Sequence, residues 1–162
     1  MTMPRFHLIA TGGTIDSYYD PDQCTSLCFE QSVLPEHLKR HAGLPEGSFS
    51  FEQLCMKDSR AITDSDRALM VDAIRRSPVQ AVVLTHGSFT LFETARYLAA
   101  QLNDSDKTVI LTGSLRPIEG FTYSDGLFNL GAAALAAQHA APGIYTCLEG
   151  QLHQPDAREH WH

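Results

Sequence analysis

The sequence predicts a doubly wound, mostly parallel α/β sheet in one domain over residues 1–162. Two observations lead there. Short apolar runs such as Phe6-His7-Leu8-Ile9 and Ala81-Val82-Val83-Leu84 alternate with segments of helical period. Repeated βα units of that kind give a parallel sheet with helices on both faces. Clusters of glycine and hydroxyl residues also follow the strands, at the carboxyl edge where open α/β sheets place their ligands.

The elements follow in order. The first strand ends in Ala10-Thr11-Gly12-Gly13-Thr14-Ile15. Two glycines let the backbone turn tightly and approach a ligand, so Thr14 is presented at the strand's end. Residues 16–31 are polar, contain Pro21 and show no clear period. They read as a long loop of the kind that serves as a lid or binding loop. A short helix starts near Pro35 and runs through His41 to a stop at Gly43. Residues 48–56 read as a strand. Thr63 is the N-cap of a helix with Asp64 and Asp66 in its first turn and Leu69, Met70, Ala73 and Ile74 as its apolar stripe. After the buried strand 81–84, Thr85-His86-Gly87-Ser88-Phe89-Thr90 sets a large apolar residue between two hydroxyls. Thr90-Leu91-Phe92-Glu93 reads as a capping box, which gives Glu93 a structural task. A strand at 108–111, an alanine-rich helix at 125–141 ended by Pro142-Gly143, and a strand at 144–148 complete the pattern.

Hydrophobic residues make up 43% and charged residues 19%, a balance that supports a globular core. A net charge of −7 argues against nucleic acid or an anionic membrane as partner. No apolar run reaches the roughly 18 residues of a membrane span. Met1 to Arg5 lead straight into the first strand with no signal peptide, so a cytoplasmic protein is expected. Cys55 and Cys147 lie in apolar strands. Cys24 and Cys28 lack a histidine or second cysteine pair to complete a metal site, and all four cysteines are expected as reduced thiols. His153, His160 and His162 read as solvated terminal residues. The chain has neither the dinucleotide glycine pattern nor the P-loop lysine, so no cofactor is expected. His86 stands beside Ser88, but no placed acid completes a triad. Asp125 either orients the Thr14 loop or caps its helix.

These motifs resemble the bacterial-type (type I/II) L-asparaginase family over nearly the whole chain, at the length of its short, one-domain members. Thr11-Gly12-Gly13-Thr14-Ile15 matches the first signature, and Thr85-His86-Gly87 with Thr90 and Glu93-Thr94-Ala95 matches the second. Thr112-Gly113-Ser114-Leu115-Arg116-Pro117 and Ser124-Asp125-Gly126-Leu127-Phe128-Asn129 resemble the third region. The resemblance implies the fold of the family's N-terminal domain and a set of roles. Thr14 would attack a side-chain amide carbon, assisted by a tyrosine on the following loop, Tyr19 or Tyr18. Ser59 would bind the substrate's α-carboxylate, with Gly13, Asp58, Gly87 and Phe89 around the substrate. Ser88 takes the place of the family's second threonine. Backbone amides of the glycine turns would stabilise the oxyanion. A homodimer or larger assembly is implied as well.

Two departures stand out. The family's aspartate, which holds the substrate ammonium, is Phe89 here, and its lysine position falls on Glu159 or His160. The lysines of this chain are Lys39, Lys57 and Lys107. An ammonium left unpaired in a closed site costs roughly 3–5 kcal/mol. At about 1.4 kcal/mol per decade, that is about two to four decades in transition-state binding. Two functions follow. One is an asparaginase-like amidohydrolase with Thr14 as nucleophile, poor on free L-asparagine and suited to a succinamate-like or N-acylated amide. The other is a catalytically silent module of the same fold that binds a small acid or a protein partner.

Overall fold

Strand β1 (Phe6–Gly12) is buried along its whole length. Its apolar side chains therefore need cover on both faces, and helices supply it. The computed structural model describes residues 3–156. After β1 come β2 (Ser17–Asp20), β3 (Thr25–Cys28), the helical turn α1 (Leu34–Glu36), β4 (Phe49–Lys57), α2 (Asp64–Arg75) and β5 (Ala81–Thr85). Then follow α3 (Leu91–Gln101), β6 (Thr108–Thr112), α4 (Gly126–His139), β7 (Gly143–Leu148) and β8 (Gln151–His153).

The main sheet runs β4-β1-β5-β6-β7-β8. Every pair from β4 to β7 is parallel, and only β8 runs antiparallel, against β7. One face packs Ile9, Val82, Leu84, Val109 and Leu111 against Met70 and Ile74 of α2 and Leu91 and Leu98 of α3. The other packs Leu8, Val83 and Ile110 against Leu34 and against Leu130 and Ala133 of α4. The expected doubly wound fold is therefore the observed one. From β1 the chain moves outward to the edge strand β4, then returns past β1 to β5. That reversal opens a crevice at the carboxyl ends of β1 and β5, the position where such sheets bind ligands.

Several local expectations are corrected. Residues 16–31 are not a featureless loop: β2 and β3 pair as an antiparallel hairpin, Tyr18 opposite Leu27 and Tyr19 opposite Ser26. The helix from Pro35 is one α-turn followed by a wider turn at His37–His41, in which the Ala42 amide donates to the His37 carbonyl at 3.0 Å. Thr63 does cap α2, in a reciprocal capping box with Asp66. Thr90, by contrast, makes no side-chain cap on α3. Its hydroxyl instead donates to the Ser59 carbonyl at 2.8 Å, and Glu93 pairs with Arg67. The last strand, β8, enters through a two-residue turn with positive φ at both Glu149 and Gly150. Such a turn matches the twist of a hairpin. No helix of the described residues is long and apolar enough to cross a membrane.

Candidate active site

Three loops meet above the β1/β5 crevice, and glycine makes the meeting close. Gly13 has φ +81°, and a Cβ there would stand 2.6 Å from Gly87 Cα. A Cβ on Gly87 would stand 2.7 Å from the Ser59 hydroxyl. Side chains at either position would drive the Thr14, Ser59 and Ser88 loops apart. The Thr90–Ser59 hydrogen bond ties two of these loops, and the His86 amide donates to the Thr112 carbonyl at 2.9 Å to tie in the loop after β6.

The loops and the hairpin enclose a cleft of about 730 Å³. Gly13, Thr14, Asp58, Ser59, Gly87, Ser88 and Phe89 all line it. So does Tyr18, whose ring packs on Phe29 at 5.2 Å between centroids, whereas Tyr19 is not among the lining residues. Ser59 is 2% exposed and its hydroxyl has no hydrogen-bond partner. Such an orphan is costly unless a ligand satisfies it. Thr14 opens a 3-10 turn, Thr14–Asp16, held by Ser17 Oγ donating to the Thr14 carbonyl at 2.7 Å. The Gly13 amide already donates to the Lys57 carbonyl at 3.0 Å and is not a free oxyanion donor.

The candidate bases are engaged elsewhere. Lys57 Nζ lies 2.7 Å from Asp66 Oδ1, a bond that holds the ammonium protonated by raising its pKa. His86 is fully buried. Its Nδ1 meets the Gly87 carbonyl at 2.8 Å and its Nε2 meets the Thr94 hydroxyl at 2.9 Å. A carbonyl only accepts, so Nδ1 carries the proton and Nε2 accepts from Thr94. Burial lowers the His86 pKa to about 4. The imidazole is thus a neutral strut. Glu159 and His160, on which the resemblance places the family's lysine position, lie outside the described residues, as does His162.

One pair was not singled out in the sequence. Arg60 clasps Asp58, with Nε donating to Oδ1 at 3.0 Å and Nη2 to Oδ2 at 2.7 Å. Its guanidinium lies 4.7 Å above the Phe89 ring centroid. These hydrogen bonds hold the Asp58 carboxyl below the usual carboxylate range. The signal was present as a cation one residue after Ser59, but nothing in the sequence joined it to Phe89. Asp125 stands at the N-cap position of α4 but makes no side-chain cap there. Its carboxylate accepts from the Leu115 and Arg116 amides at 2.9 and 3.1 Å, bracing the loop after β6. Among the described residues, no group of three or more histidine, cysteine or acidic side chains is placed to hold a metal.

Residues 5–162 match the family model described as Asparaginase, N-terminal, and the chain belongs to that family. It is 41% identical over 145 residues to a glutaminase-asparaginase of Pseudomonas fluorescens, covering 84% of this chain and 39% of that protein. To a probable L-asparaginase of Deinococcus radiodurans it is 33% identical over 156 residues, covering 93% of this chain and 46% of the relative. The fold matches the thermostable L-asparaginase of Thermococcus kodakarensis with a TM-score of 0.78 at 24% identity, over 93% of this chain and 45% of that one. The chain spans less than half the length of these relatives.

Proposed function

We propose that this chain carries the nucleophile side of an asparaginase-like amidohydrolase that releases ammonia from a small carboxamide. Thr14 Oγ attacks the amide carbon, the C–N bond breaks, and the hydroxyl proton leaves with the ammonia. Water then hydrolyses the threonyl ester to the free acid. Ser88 and a hairpin tyrosine, Tyr18 or Tyr19, assist, and Ser59 holds the substrate carboxylate. The observation that carries this reading is the convergence of Thr14, Ser59 and Ser88 on one cleft, with the buried Ser59 hydroxyl left without a partner. Free L-asparagine is a poor substrate, because Phe89 offers its ammonium no counter-charge.

One observation favours a second reading. Lys57 is tied to Asp66 and His86 is bonded at both nitrogens, so neither is free to activate a hydroxyl. A silent module that binds a small acid fits that arrangement. An ammonia-release screen over asparagine, glutamine, succinamate and N-acetylasparagine decides. Turnover of amine-free or acylated amides above that of asparagine supports the amidohydrolase, and no turnover of any leaves the binding module. Four free cysteines fit a cytoplasmic setting. The exposed side chains of Leu127, Phe128 and Leu135 on α4 fit burial in a homodimer or larger assembly.

A further inference from the structure

We infer that Arg60, held between Asp58 and Phe89, selects a substrate carboxylate together with Ser59, so that the cleft takes the ω-amides of amine-free dicarboxylic acids, succinamate being the simplest. The inference rests on the amide-hydrolase reading for its amide end and on separate observations for its acid end.

Arg60 is anchored on two sides, by Asp58 and by Phe89. Its backbone amide, Nε and Nη2 all donate to the Asp58 carboxylate, at 2.8, 3.0 and 2.7 Å. One face of the guanidinium rests on Phe89. These contacts favour the rotamer in which an anion would meet the guanidinium. A guanidinium has five N–H donors. The Asp58 clasp engages one edge, and the Nη1 side has no hydrogen bond among the described residues. That free edge suits a second carboxylate, in the paired geometry arginine favours. Ser59, the residue before Arg60 and lining the same cleft, carries a buried hydroxyl whose missing partner a carboxylate oxygen would supply.

The same arrangement repels an amine. Phe89 is 70% exposed, and the Arg60 guanidinium lies over its ring. An ammonium brought to that ring would meet a like charge at close range. Besides Asp58, which Arg60 occupies, Glu30 is the carboxylate that lines the cleft. Succinamate keeps the amide and the carboxylate of asparagine and removes only the repelled group.

The test uses binding as well as turnover. Succinate and L-aspartate are titrated calorimetrically into the wild type, Thr14→Ala, Arg60→Met and Arg60→Lys, with urea midpoints to check folding. Succinate should bind the wild type and Thr14→Ala alike and exceed aspartate in both. Arg60→Met should weaken succinate about tenfold or more, and Arg60→Lys should recover only part of it, since a point charge lacks the fork. In turnover, Arg60→Met should raise KM for succinamate and leave kcat within about twofold, the signature of lost uniform binding. Butyramide, which lacks the carboxylate, should be indifferent to the change. Aspartate binding as tightly as succinate, or succinate binding unchanged in a folded Arg60→Met, overturns the inference. Arg60-dependent succinate binding without any ammonia release sustains it and removes the hydrolase reading. Succinamate turnover with a KM indifferent to Arg60→Met does the reverse.

Discussion

The Thr94 hydroxyl donates to His86 Nε2 at 2.9 Å and itself accepts from Arg67 Nε at 3.1 Å, with all three side chains buried. This chain of bonds ends at the Gly87 carbonyl, inside the loop that carries Ser88. It works only while His86 is neutral, because a second proton would turn Nε2 from acceptor to donor beside a guanidinium.

Stability should therefore fall on mild acidification. With a pKa of 6.5 unfolded and about 4 folded, His86 contributes no pH dependence above that window. Within it the unfolded chain takes up a proton that the folded chain refuses, so the loss grows as pH drops, to roughly 2 kcal/mol at about pH 5. His7, also lowered by burial, adds in the same direction. Asp16, raised by burial, opposes it, since its folded form binds a proton more readily. Urea titrations at neutral and acidic pH measure the slope, and His86→Gln should flatten it.

Gly87→Ala should damage the site more than the fold. Gly87 has an ordinary φ of −73°, so the backbone is not strained and the injury is steric, against Ser59. Overpacking of this kind costs about 1–3 kcal/mol. Gly13→Ala adds a positive φ to a comparable clash and should cost more. Urea midpoints rank the two, and succinate affinity reports the displaced Ser59 hydroxyl.

Thr14→Ala should abolish ammonia release, with a loss of about a thousandfold or more, as expected when a nucleophile is removed. Phe89→Asp alone should not produce efficient asparagine hydrolysis. The new acid would face Arg60, which would draw it into a salt bridge, and Lys57 would still be tied to Asp66. Steady-state kinetics on both variants with asparagine and succinamate make the comparison. Strong asparagine turnover by the wild type would refute the argument from Phe89.

Light scattering at micromolar concentration should return a homodimer or larger. Phe128 and Leu135 on α4 are 64% and 61% exposed, and burying them is the favourable term. Phe128→Glu with Leu135→Glu should shift the mass toward the monomer. A monomeric wild type would rule the assembly out.

The main sheet was legible because β1, β5 and β6 are buried on both faces and so read as unbroken apolar runs. The β2–β3 hairpin was not. Its strands are polar and partly exposed, and at its turn Cys24, not glycine, adopts φ 51°. The sequence therefore carried no alternation there, and Pro21, which opens the turn, was its one punctuation mark. The capping box at Thr90 followed local spacing, but a contact 31 residues back, to Ser59, captured the hydroxyl. Thr14, Ser59 and Ser88 were legible because each follows a strand of the sheet. Arg60 was not, because its meaning depends on Phe89, on another loop.

The hairpin forms a two-stranded sheet of its own, apart from the six-stranded one. Ribbons that small are marginal alone. It is fastened to the body by few bonds, including the Phe29 amide to the Asp16 carbonyl at 3.1 Å. Its amides should take up deuterium from local openings, long before β5 or β6 exchange. Tyr18 and Tyr19 are both exposed, so chymotrypsin should nick the native protein there first. An amine-free diacid in the cleft should slow both processes, and the rate of that first cut would then serve as a clock for occupancy of the cleft.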